Sequence, residues 1–207
     1  NSNTIIGKSA GQHITTGVEN VMIGILAGHA ANSGRNVLIG HYAGFGLSNT
    51  NGYNIAIGYN AMQQCDSNPT HNITMGHSAG MYAGGDNSIF IGREAGKSAH
   101  PVGSNSGNEN IGIGHSALLK IQGGEHNICI GYEAGSQNTG GLHNVCIGRK
   151  SGQNITNNYN TLIGGNSGQG MTTAYQNTVV GYEAYNCSGL PGTRSNNVFV
   201  GMQSGYR

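Results

Sequence analysis

Histidine, carboxylate and cysteine side chains are the groups in this sequence that could do chemistry. Nine histidines occur in 207 residues, and His126 and His143 occupy equivalent places in consecutive repeats. A zinc site needs three or four ligands held by an oriented outer shell, and the sequence groups no such set. We therefore interpret the histidines as polar columns and predict neither a metal site nor a cofactor.

The eight acidic residues are spread too widely to predict an active site. Glycoside hydrolysis needs two carboxyl groups flanking one bond, and here they would have to come from distant repeats or from different chains. No serine or cysteine lies in a recognisable nucleophile motif with a base. We predict no catalytic residue and no enzymatic activity. The acidic residues are Glu19, Asp66, Asp86, Glu94, Glu109, Glu125, Glu133 and Glu183.

Two cysteines, Cys129 and Cys146, occupy equivalent positions in adjacent repeats. If the repeats stack in register, their Cα atoms lie about 5 Å apart, which is within the range that a disulfide permits. A disulfide and two separate thiols both remain possible on this evidence. Cys65 falls at a small apolar position, and we expect it in the core.

One pattern, Asn-x-x-Ile-Gly-x-x-Ala-Gly, organises the chain and is clearest from Asn127 to Gly135. The glycine that closes the apolar run returns at intervals of 16 to 22 residues. A fixed self-similarity of this length is typical of a solenoid. The closing glycines are Gly7, Gly24, Gly40, Gly58, Gly76, Gly92, Gly114, Gly131, Gly148, Gly164, Gly181 and Gly201.

The residues around each closing glycine predict the local structure. Alternate β-branched residues between asparagine and glycine indicate a short strand. Alanine or serine always stands three residues after the glycine, where it suits a narrow interior corner. A further, mostly apolar column four residues later indicates a second short strand. We predict an all-β, parallel β-solenoid of about twelve coils, forming a single domain over residues 1–207.

Asparagine begins the pattern in eleven of the twelve copies, with Ser88 as the exception. Stacked asparagine amides form hydrogen-bonded ladders between in-register strands, so we assign this column a structural role. The ladder residues are Asn3, Asn20, Asn36, Asn54, Asn72, Asn110, Asn127, Asn144, Asn160, Asn177 and Asn197.

The middle residue of each apolar run points opposite to its two neighbours, because side chains alternate along a strand. We expect this middle column to lie outside the solenoid. Exposed apolar stripes mark partner surfaces, so it predicts a homo-oligomer interface. The stripe comprises Ile5, Met22, Leu38, Phe90, Cys129, Cys146, Leu162, Val179 and Phe199.

The repeat resembles the head repeats of trimeric autotransporter adhesins of the YadA type. It resembles more closely the longer-period arrays of phage and phage-like tail-fibre proteins, which often end in a self-cleaving chaperone domain. The resemblance covers all twelve copies. It implies a left-handed β-roll, three chains side by side, and display outside a cell or on a virion. The coil here is longer than that of the adhesin head, and no neck, stalk, anchor or chaperone pattern is recognised.

Composition narrows the choice of partners. Glycine makes up 38 residues, charged residues are only 8%, and the net charge is +1 without any lysine and arginine run. Such a chain lacks the basic footprint of a nucleic-acid protein, and no apolar stretch is long enough for a membrane span. We expect self-association, as a trimer or filament, and a cell-surface glycan or receptor as the other partner.

The sequence thus favours a structural or adhesive segment of an extracellular or virion fibre. Recognition would use the projecting segments at 48–52 and 101–107 and the tyrosines Tyr42, Tyr59 and Tyr132. The alternative is a non-enzymatic subunit of an extracellular filament. Neither Asn3–Gly11 nor Val198–Gly205 carries an edge-protecting device, so we expect either flanking modules or head-to-tail stacking of coils.

Overall fold

A computed structural model describes residues 2–47, 52–65, 69–98, 107–186 and 193–205. The described residues form an all-β, parallel β-solenoid without helix, as predicted. The variable segments 48–51 and 101–106 lie outside them, as do Asp66 and Cys187. One sheet contains twelve strands in chain order, so each coil stacks directly on the preceding one.

Each strand has three residues, begins directly after the asparagine column and ends directly before a closing glycine. Equivalent residues of neighbouring strands are paired throughout the sheet; Leu162, for example, pairs with Cys146 on one side and with Val179 on the other. The strands are β1 Thr4–Ile6, β2 Val21–Ile23, β3 Val37–Ile39, β4 Ile55–Ile57, β5 Ile73–Met75, β6 Ile89–Ile91, β7 Ile111–Ile113, β8 Ile128–Ile130, β9 Val145–Ile147, β10 Thr161–Ile163, β11 Thr178–Val180 and β12 Val198–Val200.

The closing glycines are required by the close approach of neighbouring coils. Gly131 has a φ of 137°, and a Cβ atom built there would lie 2.5 Å from the carbonyl oxygen of Gly148. The equivalent glycines through Gly181 face the same obstruction from the next coil. A side chain at this position would therefore force the stacked coils apart.

The predicted second strand is wrong, because each described coil has a single strand. After the closing glycine the chain curls through successive turns: in the second coil Leu26 and Gly28 have φ values of 57° and 56°. Hydrogen bonds to neighbouring coils hold the curl, with the Leu26 N–H donating to the Lys8 carbonyl at 2.9 Å. The apolar column after the curl still packs into the core, as Ile121 and Ile155 show.

The asparagine column runs through the interior as a hydrogen-bonded ladder. The Asn144 amide nitrogen donates to the Asn127 side-chain oxygen at 3.1 Å and to the Asn157 carbonyl at 2.7 Å. The Asn144 side-chain oxygen in turn accepts from the backbone and amide nitrogens of Asn160, at 3.0 and 3.1 Å. Every polar atom of this buried amide is thus paired, as a buried polar group requires. At Ser88 the hydroxyl oxygen takes over, accepting from the Asn110 N–H at 3.1 Å.

The expected outer stripe is wrong, because the middle column is the core of the solenoid. The side chains of Met22, Leu38, Phe90, Cys129, Cys146, Leu162 and Val179 are all buried within one chain. Only Ile5 is exposed and Phe199 partly buried, both in terminal strands. The physical reason is alternation: the middle residue lies two positions after the asparagine, so both point into the coil.

Candidate functional site

The outward surface of the sheet is formed by the first and third residues of each strand, which we call the strand face. In the inner coils these residues are half-buried or exposed, with Ile91 and Ile147 each 36% exposed. Nearly all of them are β-branched aliphatic residues, which suit a pleated, half-covered surface. The strand face is therefore the apolar stripe of this molecule, although its residues are not those expected from the sequence.

One polar column, here the leading column, borders the strand face. From the second coil onwards it consists of the residue before each ladder asparagine or before Ser88, and all of these residues are exposed, with φ between 55° and 64°. Positive φ is uncommon outside glycine, and backbone hydrogen bonds between coils hold it here; the His126 N–H, for example, donates to the Asn108 carbonyl at 3.1 Å. The members are Glu19, Arg35, Tyr53, His71, Asn87, Glu109, His126, His143, Tyr159, Gln176 and Asn196.

Side chains of the leading column stack on one another in two groups. In the first, the Arg35 guanidinium lies 5.2 Å from the Tyr53 ring centroid, and Tyr53 stacks on His71 at 4.7 Å with an interplanar angle of 8°. Arg35 also donates from Nη1 to the Tyr53 hydroxyl and from Nε to Glu19, at 2.7 Å for the latter. The carboxylate and the guanidinium therefore neutralise each other at one end of this stack.

The second group joins His126, His143 and Tyr159. Their ring centroids follow at 4.6 and 5.1 Å, with interplanar angles of 8° and 5°. Glu109 approaches His126 Nδ1 at 2.8 Å. His126 and His143, which the sequence places one coil apart, are thus neighbours, but their rings stack and do not point at a common metal position. Within the described part of the chain, no three His, Cys, Asp or Glu side chains are grouped so that they could hold a metal ion.

The other border of the strand face, here the trailing column, consists of the residue after each closing glycine. Tyr59 stacks on His77 at 5.2 Å, and Arg149 lies over the Tyr132 ring at 5.9 Å. Tyr59 and Tyr132 are 47% and 43% exposed, whereas Tyr42 lies one residue further on and packs against His41. The members are Lys8, Ile25, His41, Tyr59, His77, Arg93, His115, Tyr132, Arg149, Gly165, Tyr182 and Met202.

The pKa shifts of Glu94, Tyr132 and His29 each have a local cause. A hydrogen bond from Lys97 lowers the pKa of Glu94. A hydrogen bond with Glu133 raises the pKa of Tyr132. Burial, followed by the charge of the nearby His13, lowers the pKa of His29. These shifts belong to surface pairs and do not single out an acid and a base facing one substrate.

Both central cysteines are buried as free thiols. Cys129 and Cys146 face each other in register on β8 and β9. The hydrogen bond with Cys146 and then burial raise the pKa of the Cys129 thiol well above its usual value. The disulfide left open by the sequence is therefore not formed in this structure. Cys65 lies in the core, as expected.

Comparisons with models of protein families, with curated proteins and with solved structures find no match for this chain. In the described residues there is no helix with the length and apolarity needed to cross a bilayer. The site must therefore be interpreted from its own geometry: an apolar strand face between two columns of aromatic, histidine and charged side chains. The sequence contained the signal for both columns, because their residue types recur beside the asparagine and the closing glycine. Their stacking follows only from the in-register coils.

Proposed function

We propose that this chain is a structural and adhesive segment of an extracellular or virion fibre. It associates with further copies of itself, binds a glycan or surface receptor, and performs no catalysis. The observation that carries the proposal is the strand face, a continuous apolar surface with exposed ring-bearing columns on both sides. Such a surface suits association and recognition, whereas the acidic residues of the described chain are mostly engaged in surface pairs.

The dimensions of the strand face suit another copy of the chain. Twelve strands spaced about 4.8 Å apart give a length of about 57 Å, and three residues at about 3.3 Å each give a width of about 10 Å. The product is about 570 Å², at the upper end of the roughly 300–600 Å² of the largest apolar patches on monomers.

The borders of the strand face support a cyclic arrangement. In the leading column Arg35 neutralises Glu19 and leaves Glu109, whereas the trailing column carries Lys8, Arg93 and Arg149 and no acidic residue. These charges of opposite sign favour an arrangement in which the leading border of one copy faces the trailing border of the next at the exposed rim of the contact. Repeating that arrangement around an axis closes a ring and covers the strand face, while the side chains of both columns stay accessible. We propose a trimer, in line with the resemblance of the repeat.

Light scattering combined with circular dichroism tests the self-association. Lysine at Ile91 and Ile147 places charge on the strand face, so we expect monomers that keep the β-sheet spectrum. Thr139→Lys is the matched control, because Thr139 is exposed outside the strand face, and it should leave the oligomer intact. An unmodified protein that stays monomeric at high concentration contradicts the proposal.

A glycan array tests the adhesive part. The assembled protein should bind at least one glycan class, and exchanging Tyr59 and Tyr132 for serine should weaken a contact made by the trailing column. Binding to neither glycans nor host surfaces favours the second candidate, a filament subunit without a dedicated ligand.

The filament candidate rests on complementary terminal coils. The Asn20 backbone N–H donates to the Asn3 side-chain oxygen at 2.9 Å, and the Asn197 N–H donates to the Asn177 side-chain oxygen at 3.0 Å. The Asn197 oxygen of one copy is thus suited to accept from the Asn3 N–H of another, continuing the ladder. Electron microscopy distinguishes the two: threads with a repeat near 57 Å support stacking, and separate short rods exclude it.

A further inference from the structure

A trough lies beside the first stacked group of the leading column. Its volume is about 380 Å³, within the range of about 300–1,000 Å³ typical of small-ligand sites. Arg35, Tyr53 and His71 of the leading column line the trough. The residues that precede them, Gly34, Gly52 and Thr70, also line it, together with Val18.

Two glycines in consecutive coils, Gly34 and Gly52, form part of the trough wall, and a Cβ atom built on Gly34 would lie 2.7 Å from the Val18 carbonyl oxygen. Elsewhere in the leading column the preceding residue carries a side chain, such as Leu142 before His143 and Asn158 before Tyr159. No residue of the strand face lines the trough. A ligand could therefore occupy it while the strand face is covered by further copies of the chain.

The polar groups of the trough are mixed donors and acceptors with little net charge. The charge of the Arg35 guanidinium is compensated by Glu19, but Arg35 has N–H groups beyond those bonded to Glu19 and Tyr53. The Tyr53 hydroxyl accepts from Arg35 and can still donate its own hydrogen. Because Arg35 and His71 cover the two faces of the Tyr53 ring, its hydroxyl edge is what a ligand meets.

We propose that this trough binds a neutral pyranose, as one sugar unit of a glycan. A pyranose presents hydroxyl groups that both donate and accept, which matches the guanidinium, phenol, imidazole and threonine hydroxyl around the trough. The neutralised Arg35 gives no preference for phosphate, sulfate or carboxylate. The site is open and small, so we expect millimolar affinity for a single sugar, raised by multivalency when several copies assemble. This inference rests on the proposed adhesive function and names its ligand class.

The stacked group around Tyr159 provides a matched control. Tyr53 and Tyr159 share the leading column, have φ values of 64° and 60°, and each stacks on a histidine. Only Tyr53 borders the trough. Asparagine tolerates positive φ better than most residues, so Tyr53→Asn and Tyr159→Asn disturb the backbone equally little.

Nuclear magnetic resonance on the full chain tests the proposal. Glucose, galactose, mannose and N-acetylglucosamine are titrated separately, with inorganic phosphate and N-acetylneuraminic acid as anionic comparators. At least one neutral sugar should shift the amide signals of residues 34–35, 52–53 and 70–71. Tyr53→Asn should weaken that sugar about tenfold, the equivalent of about 1.4 kcal/mol, and Tyr159→Asn should leave it unchanged.

Tyr53→Phe keeps the ring stack and removes only the hydroxyl group. It therefore tests the role of Tyr53 in sugar binding even if Tyr53→Asn does not fold. We expect a loss of about threefold to tenfold from one missing hydrogen bond. The proposal is overturned if no neutral sugar shifts these amides, if an anion binds more tightly, or if both asparagine variants lose binding equally. If the protein binds on the glycan array but no sugar shifts the amide signals of the trough, the trough is not the sugar site and the adhesive function stands. If a sugar binds in the trough but the assembled protein does not adhere to glycans or host surfaces, the adhesive function is refuted and the sugar site stands.

Discussion

The opposite orientation of neighbouring residues in β10 predicts a large difference between two alanine variants. Leu162 is fully buried between Cys146 and Val179 of the adjacent strands. Ile163, the next residue, lies on the strand face and is 37% exposed. Leu162→Ala and Ile163→Ala remove similar side chains from the same coil, so a comparison between them isolates the difference in burial.

The structure sets the expected magnitudes. Shortening Leu162 loses about 2 kcal/mol of transfer free energy, at about 0.8 kcal/mol for each buried methylene. Backbone lies close around its methyl groups: Cβ atoms built on Gly152 and Gly168 would lie 2.8 and 3.0 Å from them. We infer that the hydrogen-bonded coils cannot close over the space that is left, so the total loss should reach about 3–5 kcal/mol. Ile163→Ala opens no closed cavity, and in the monomer it should cost about 1 kcal/mol.

Urea unfolding followed by far-ultraviolet circular dichroism measures both losses. Stacked repeats can unfold locally, so placing both changes in one strand keeps the comparison within one unit. The measurement is made at a concentration at which light scattering shows both variants to be monomeric, because self-association would add an interface contribution at Ile163. An equal or larger loss for Ile163→Ala would refute the assignment of the middle column to the core.

Three further predictions concern the backbone, the ladder and pH. Gly131→Ala should lower the free energy of unfolding by about 3 kcal/mol or more, because of backbone strain and contact with the next coil. Gly140→Ala is its control: the new methyl group would lie 3.9 Å from the nearest atom. This control should change the free energy of unfolding by less than about 0.5 kcal/mol. Asn144→Ala should cost more than about 3 kcal/mol because it leaves several buried groups of adjacent coils unpaired, and urea unfolding measures the loss; stability equal to that of the unmodified protein would contradict the ladder. Burial and then His13 lower the pKa of His29 below 6.5, so the unfolded chain binds more protons and this contribution to stability falls as the pH drops below about 6.5. Histidine titration by nuclear magnetic resonance and unfolding at about pH 8 and about pH 5 check this sign, and a His29 pKa above that of an unfolded peptide would contradict it.

The sequence determined the coil and the strand positions because both depend on short-range patterns. Each strand lies between an asparagine and a closing glycine, as at Asn127 and Gly131, and the fixed interval brings the strands into a parallel stack. The glycine column follows from backbone approach and the asparagine column from axial amide pairing, and both are visible as recurring columns within one chain. All-β solenoid architecture therefore needed no tertiary information.

Tertiary structure decided which face of the strand is inside and which side chains meet. The alternation of side chains places Leu162 and Ile163 on opposite faces of the strand, but it does not say which face is buried, because both columns are apolar. The buried face is the one on which the rest of the coil folds back. The asparagine column lies on the same face as Leu162, so assuming a buried asparagine ladder would have predicted the buried face correctly. The curl after each glycine, rather than a second strand, depends on hydrogen bonds to neighbouring coils. The trough at Tyr53 likewise joins residues 16 to 18 positions apart along the chain, and only the in-register stacking of coils brings them together.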